Sequence, residues 1–262
     1  MAFLKQGSQF LYSNTSGDIV GVRDNDGGDQ YWLTGAYQPA YYKAAPQFSI
    51  AAAASTFTSL TYEADGANVR LVSAGVHGIA AGSVGHSVYV TWAGGTGVNG
   101  FYAIVDRSVT TKLTINLAYV VGLGTPTVSL VNSDITIVTQ TIPAQTMNIG
   151  MTMELDLLVS CTGSANNKTV KANLGSAAWY SQTIASSIES LCVEKKACVV
   201  SSTDVLTNAL AVPGHGTATG ANLILQPSGG VAAAQNLTII GRIDNAAEFL
   251  RLEAWSLKIN GA

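Results

Sequence analysis

The stretch Met151–Gly175, MTMELDLLVSCTGSANNKTVKANLG, contains two segments of alternating apolar and polar residues with a polar cluster between them. Every second residue is apolar over 151–161, and the same alternation resumes over 170–174. Alternation with a period of two is typical of strands that bury one face. The polar cluster is therefore either a turn between two strands or a site.

The composition of the cluster favours a turn. Gly163, Asn166 and Asn167 tolerate turn dihedral angles that Leu or Val would not adopt. We therefore predict a hairpin that joins the two strands. Its signature residues are Ser164, Asn166, Asn167, Lys168 and Thr169.

The same alternation recurs along the rest of the chain, with Gly, Asn and Pro in the intervals and no amphipathic helix of useful length. Many short strands at this spacing predict a sandwich, jelly roll or barrel. Within Leu250–Ile259 the apolar positions change parity after Ala254, which predicts a β-bulge. In the C-terminal half the candidate strands are 151–161, 169–174, 177–184, 188–193, 197–200, 204–211, 221–226, 236–243 and 248–259.

We predict an all-β protein with two sandwich-like or jelly-roll-like bodies. Composition and the spacing of apolar residues divide the sequence into three parts. These are an irregular N-terminal segment (1–50), a small β domain (51–140) and a C-terminal jelly-roll-like domain (141–262). The first segment is rich in aromatic residues, which are costly to expose and should pack on the protein's own body or on a partner. The residues expected to make this attachment are Tyr31, Trp32, Tyr37, Tyr41 and Tyr42.

The charge content excludes several functions. Only 11% of the 262 residues are charged, against about a quarter in ordinary soluble domains, and the net charge is -3. No cluster of Lys and Arg is present to displace counterions, so we expect no nucleic-acid binding. No apolar run approaches the ~20 residues that span a bilayer, and the N-terminal residues lack the apolar core of a signal peptide. We therefore expect neither membrane insertion nor a secretion signal.

The short motifs indicate no cofactor and no metal. Gly95–Gly100, GTGVNG, fits a dinucleotide fingerprint, but a strand-like segment follows it instead of the required helix, so a hairpin loop is favoured. Arg23–Asp29, RDNDGGD, resembles a calcium loop without its distal Glu, and a polar turn is favoured. The three His residues are expected in turns or on the surface, and the three Cys residues are expected to be buried and reduced.

Two pairs of carboxylates could serve a glycan-cleaving enzyme. Glu154 and Asp156 share one face of a strand about 6.6 Å apart, and Asp244 with Glu248 forms a second pair. The alternation of the first pair with Met153 and Leu155 favours a solvated strand face instead. We predict no catalytic residues.

The C-terminal part resembles a module found in structural proteins of tailed bacteriophages. The resemblance lies in Ile142-Pro143-Ala144, the segment Ser164–Thr169, Leu174-Gly175 and the closing strand Leu252–Trp255. Gly175 is followed by Ser176, where the family more often has a second Gly. The segment 69–106 also looks like phage fibre or spike sequence, whereas the first 50 residues are outside the match.

The resemblance implies a non-enzymatic virion protein, made in the host cytoplasm and assembled on the particle. It would be a homotrimeric head or tail fibre or spike subunit, anchored through its N-terminal segment to other virion proteins of the head, portal or tail. One alternative is a receptor-binding protein that recognises host surface glycan through the loops 212–220 and 226–230. A capsid decoration protein and a polysaccharide depolymerase are further alternatives.

Overall fold

The computed structural model describes residues 2–6, 9–13, 19–24, 30–31, 40–44, 48–54, 60–184, 188–207 and 223–260. Within these ranges every regular element is a strand, apart from one 3-10 turn at Ala81–Ser83. The predicted all-β class is confirmed. No helix in the described part of the chain has the length and apolar character to span a bilayer.

The first strands form a separate four-stranded antiparallel sheet in which each strand pairs with the next. Its members are β1 (Ala2–Gln6), β2 (Gln9–Ser13), β3 (Ile19–Asp24) and β4 (Gln30–Tyr31). The prediction of an irregular segment is wrong for these residues. Strands of two to six residues are too short to produce a periodicity that can be recognised over the usual window of 11–18 residues.

Two further short strands connect this segment to the remaining chain. They are β5 (Ala40–Ala44) and β6 (Phe48–Ile50).

The first body is built from six strands around its own buried cluster. These strands are β7 (Thr61–Asp65), β8 (Asn68–Val72), β9 (Ser87–Ala93), β10 (Gly100–Asp106), β11 (Lys112–Ala118) and β12 (Thr125–Val128). The strand order is β12-β9-β10-β11-β8-β7, and the sheet curls around its core. The ring of Tyr62 on β7 thus packs edge-on against Trp92 on β9, with 5.5 Å between the ring centres.

The second body is a sandwich of two sheets and contains nine strands. They are β13 (Ile135–Ile142), β14 (Thr152–Cys161), β15 (Lys168–Leu174), β16 (Ala177–Ile184), β17 (Ser190–Val199), β18 (Val205–Thr207), β19 (Leu223–Leu225), β20 (Gln235–Ile243) and β21 (Leu250–Asn260).

One sheet of the sandwich has the order β13-β20-β15-β16, and the other has the order β19-β18-β17-β14-β21. The edge of β21 that does not face β14 pairs with β5 and β6, and β6 also meets β9 in a single parallel bridge between Ile50 and Ser87. The second sheet therefore continues into the first body. The apolar residues of the two facing sheets form one large core, from which water is excluded.

Strand pairing and burial group the described residues into the two bodies. The expected boundary at residue 140 cuts through β13, which pairs with β20 of the sandwich along Ile135–Ile142. The boundary at residue 50 separates β5 and β6 from β21, their pairing partner. The buried residues follow this pairing, because one cluster ends at Val128 and the other contains Ile135.

The segment Cys161–Gly175 does not form the predicted hairpin. β14 pairs with β17 and β21, whereas β15 pairs with β16 and β20 in the opposite sheet. The polar residues 162–167 therefore carry the chain from one sheet to the other. The tight hairpin lies one strand later, between β15 and β16, where Leu174 pairs with Ala177 and Gly175 has a positive φ of 57°.

The other local predictions for the sandwich agree better with the structure. The predicted bulge is present in β21, because Leu158 pairs with Ala254 while Val159 pairs with Leu252, which leaves Glu253 as the additional residue. The predicted strands 188–193 and 197–200 are one continuous strand, β17. Its charged residues Glu194-Lys195-Lys196 occupy ladder positions opposite β14, so they do not interrupt pairing.

Candidate functional site

The residues of the predicted hairpin meet a second connection that arrives from the end of the chain. The loop 162–167 joins β14 to β15, and the loop 244–249 joins β20 to β21 across the same two sheets. Backbone bonds hold the loops together, since Thr162 N donates to Phe249 O at 3.2 Å and Asp244 N donates to Asn167 O at 3.1 Å. We call Ser164, Asn166, Lys168 and Glu248 the crossover cluster.

Lys168 is the centre of this cluster and is 1% exposed. Its ammonium group donates to Ser164 Oγ and to the backbone oxygen of Asn166, both at 2.9 Å. Its third contact is with Glu248 Oε2 at 3.3 Å. An ammonium group has three N–H donors, so all of them are satisfied without water.

Glu248 supplies the compensating charge and is 3% exposed. Its Oε1 accepts hydrogen bonds from the Ser164 hydroxyl and from Asn166 Nδ2, the latter at 2.8 Å. A buried charge is tolerated only where it is paired and hydrogen-bonded, and this arrangement meets both conditions. Lys168 and Glu248 are shielded from solvent, whereas Ser164 is half-buried and Asn166 is exposed, so the charged pair joins the two crossover loops from the inside.

Glu248 was missed as the partner of Lys168 by the reasoning from sequence. The signal was the position of Lys168 itself, which begins an alternating strand with the same parity as the buried residues Val170 and Ala172. A lysine on the buried face of a strand requires a partner. Nothing local to the sequence indicates that this partner lies 80 residues away.

The other two signature residues have different positions. Asn167 contributes only its backbone oxygen, to Asp244 N. Thr169 points to the opposite side of β15, where its hydroxyl lies 3.2 Å from that of Thr183.

Cys161 lies at the end of β14, next to the loop 162–167. Burial raises the pKa of its thiol, which donates to Ile188 O at 3.3 Å.

The aromatic residues expected to attach the protein to a partner are only partly described. Tyr31 lies in β4 and pairs with Val22 of β3. Tyr41 and Tyr42 lie in β5 and pair with Lys258 and Leu257 of the protein's own sandwich. Trp32 and Tyr37 lie outside the described residues.

A groove lies where the first body meets the sandwich, and its volume is about 580 Å³. One wall is the outward face of β9 and β12, and the other is the edge strand β13 with the turn that precedes it. We call it the junction groove. It is lined by Tyr89, Thr91, Thr127, Val128, Ser129, Leu130, Ser133, Asp134, Ile135, Thr136 and Thr139.

The lining follows from strand alternation. Val88, Val90 and Trp92 of β9 are buried in the first body, so Tyr89 and Thr91 lie on its other face. Thr127 of β12 is paired directly with Thr91, and Ser129 N donates to Tyr89 O at 2.9 Å. These cross-strand neighbours form a continuous surface of one aromatic ring and several hydroxyl groups.

The electrostatic character of the groove is nearly neutral. Among the described residues, the charged member of the lining is Asp134, whose Oδ2 accepts from Lys171 Nζ at 2.6 Å. The ring of Tyr89 is held by Phe101 in an edge-to-face contact, with 5.0 Å between the ring centres. The Ser129 hydroxyl is shielded and has no hydrogen-bond partner among the described residues.

The candidate motifs from the sequence give no other site. Gly95–Gly100 connects the antiparallel strands β9 and β10, so the prediction of a hairpin loop is confirmed. The stretch 25–29 lies outside the described residues, and so does the loop 212–220. The second predicted glycan loop, 226–230, is held by Gln235, whose amide donates to Ser228 O and Gly230 O.

The predictions for His and Cys are partly wrong. His77 is fully buried in the first body, where its Nδ1 accepts from Ile79 N at 3.1 Å. Burial lowers the pKa of His77. Cys192 is exposed, since β17 directs it away from the core. Among the described residues no three His, Cys, Asp or Glu side chains are placed to share a metal ion.

The carboxylates considered for catalysis all have partners. Glu154 lies 2.9 Å from Lys196 Nζ, and Asp156 accepts from Ser256 Oγ at 2.9 Å. Asp244 lies 3.3 Å from Arg242 Nε, and Glu248 belongs to the crossover cluster.

Comparison with family models, with curated proteins and with solved structures yields no match to this chain.

Proposed function

We propose that the protein is a non-enzymatic structural protein of a tailed-bacteriophage virion, a homotrimeric fibre or spike subunit of the head or tail anchored through its N-terminal segment. The observation that carries this proposal is the place of the phage-like sequence in the fold. Ser164, Asn166 and Lys168 belong to the crossover cluster, which surrounds the buried pair of Lys168 and Glu248. Residues that determine a module's architecture are those expected to recur among proteins that use the module as a building block.

The topology of the N-terminal part supports an attachment role. Strands β1 to β4 form a sheet of their own, and no described strand outside this sheet pairs with them. A sheet that is separate from the main body can join other virion proteins while the sandwich keeps its structure.

The surface composition supports assembly. With 11% charged residues, the chain presents mainly small and neutral polar groups. Close packing of subunits then requires the desolvation of few charges, which is the costly part of burying a polar surface.

The partners of the carboxylates support a non-enzymatic role. A glycosidase needs one carboxylate free to act as acid and a second free to act as base or nucleophile. Glu154 and Glu248 instead accept charge-assisted hydrogen bonds from Lys196 and Lys168.

The virion assignment is tested on purified particles of the phage that encodes the chain. Immunogold labelling with antibodies against the sandwich, together with mass spectrometry of the particles, should place several copies on the head or tail. Absence of the protein from particles purified to constant composition overturns the proposal.

The trimer is tested separately by sedimentation equilibrium at micromolar concentration. The expected mass is three times the 27.1 kDa of one chain. A monomer at that concentration overturns the trimer.

A further inference from the structure

We infer that the junction groove is a binding site for a neutral carbohydrate, namely a short segment of an uncharged oligosaccharide or polysaccharide. The inference rests on the groove alone and does not depend on the virion role. The five observations that support it are the size of the groove, its hydroxyl groups, its lack of unpaired charge, its apolar residues and the irregular register of β13.

The size and shape of the groove suit a small ligand. Its volume of about 580 Å³ lies within the range of about 300–1,000 Å³ that is usual for small-molecule sites. The sheet face of β9 and β12 forms one wall, and β13 forms the other. Because strands supply most of both walls, the site is held largely by sheet elements.

The hydrogen-bonding groups suit a ligand that has many hydroxyls. Thr127, Ser133, Thr136 and Thr139 are exposed and line the groove, so their hydroxyl groups are open to a ligand. Each can donate one hydrogen bond and accept two, as sugar hydroxyls also can. Ser129 also lines the groove, and its shielded hydroxyl has no hydrogen-bond partner among the described residues.

The charge of the groove favours a neutral ligand. In the part of the chain that the structure describes, Asp134 is the charged residue of the lining, and its carboxylate is paired with Lys171 Nζ at 2.6 Å. An anionic sugar would meet a carboxylate and gain no unpaired cation from the lining. A cationic ligand would have to compete with Lys171.

The apolar part of the lining completes the site. The ring of Tyr89 is fixed by Phe101, and Leu130 and Ile135 lie in the same groove. An aromatic ring and aliphatic side chains can contact the C–H face of a sugar ring while the hydroxyls around them bind its edge.

A peptide strand is the other occupant that the location suggests, since β13 is an edge strand of its sheet. Strand addition requires a regular row of free backbone groups. The register of β13 against β20 shifts between Thr136 and Val138, and a bulge of this kind bends the strand and makes its row of backbone groups irregular. The groove therefore favours the carbohydrate.

The test uses the full chain on an array of neutral oligosaccharides that contain glucose, galactose, mannose or N-acetylhexosamine. Sialylated and sulfated versions of the same glycans are included, together with an extended threonine-rich peptide. Titration calorimetry with the best neutral probe then gives Kd. Binding to at least one neutral probe, with weaker binding to its charged versions and to the peptide, is the expected result.

Two variants place the binding in the groove. The double variant Thr127→Val/Thr136→Val removes two exposed hydroxyls at nearly constant volume, and we expect it to weaken Kd at least about tenfold. The matched control is Thr169→Val, which removes a hydroxyl from β15 outside the groove and should leave Kd unchanged. Equal thermal unfolding of all three proteins shows that the fold is intact.

The proposal is overturned by absence of binding across the neutral panel, by preferential binding of a charged glycan or the peptide, or by an unchanged Kd in the double variant. A protein that is found on virions but fails this test leaves the virion role in place, so the two failures are distinguishable.

Discussion

The ammonium group of Lys168 lies 3.3 Å from the carboxylate of Glu248, at the point where two loops cross between the sheets of the sandwich. Both side chains are almost fully buried, and Ser164 and Asn166 complete their hydrogen bonds. The loop that leads into β15 and the loop that leads into β21 are thereby held together. Such a tie has consequences for stability that can be measured.

Replacement of Lys168 by Met leaves the Glu248 carboxylate buried without its cation. We expect the free energy of unfolding, measured by urea denaturation, to fall by about 3–5 kcal/mol. The matched control is Lys171→Met on the same strand, which breaks the partly exposed pair with Asp134 and should cost about 0–1 kcal/mol.

A second substitution tests the cause. If the unpaired charge is responsible, Glu248→Leu in the Lys168→Met background should recover most of the loss, because an apolar pair of similar volume can replace a buried ion pair. Equal losses for Lys168→Met and Lys171→Met, or no recovery in the double variant, would contradict this account.

Gly175 in the hairpin between β15 and β16 should not tolerate alanine. Its φ is +57°, and an added Cβ would overlap the side-chain oxygen of the buried Gln235. Left-handed backbone costs a non-glycine residue about 1–2 kcal/mol, and displacement of Gln235 adds to this cost. Gly66→Ala is the control, since Gly66 has a φ of +61° but open space around its Cβ position. Chemical denaturation should show the larger loss at Gly175, and equal losses would exclude the overlap with Gln235 as a cause.

Lys195 should make stability depend on pH. It is 1% exposed on the inward face of β17, paired with the buried Leu155, and burial lowers its pKa to about 8. The unfolded chain keeps the ordinary value of about 10.4. Between pH 8 and 10.5 the unfolded state therefore holds a proton that the folded state has lost, so the free energy of unfolding rises with pH, by at most about 1.4 kcal/mol per unit.

The comparison of wild type with Lys195→Met isolates this effect from other groups that titrate in the same range. From pH 8 to 10.5, the free energy of unfolding of the wild type should increase relative to that of Lys195→Met. Lys196→Met on the opposite face is the control. The Glu154 carboxylate raises the pKa of Lys196, so Lys196 does not make the free energy of unfolding rise between pH 8 and 10.5. A constant difference between wild type and Lys195→Met would show that Lys195 titrates normally.

Much of the sandwich could be predicted from the sequence, because strand positions and the bulge in β21 depend on local alternation. The parity change after Ala254 is enough to indicate an extra residue. The crossover at 162–167 could not be distinguished from a hairpin in the same way. Both require a short polar turn, and the difference lies in the pairing of β14 with β17 and β21.

The candidate site depended even more on contacts distant in the chain. Thr127 and Thr136 belong to strands of different sheets, and their polar side chains look like ordinary exposed positions in the sequence. Only the packing of the first body against the sandwich brings them to one groove. Periodicity shows which face of a strand is polar, but not which other strand that face meets.

The hydrogen bond between Trp179 and Thr207 should contribute to the core of the sandwich. The indole N–H of the fully buried Trp179 donates to Thr207 Oγ1 at 3.1 Å. Thr207→Val keeps the shape of the side chain but leaves this buried donor without a partner, which costs about 1–3 kcal/mol. Thr169→Val, which removes a hydroxyl next to Thr183, should change the unfolding free energy by less than about 0.5 kcal/mol. Urea denaturation followed by tryptophan fluorescence measures both, and a Thr207→Val protein as stable as the control would show that the indole group finds another acceptor.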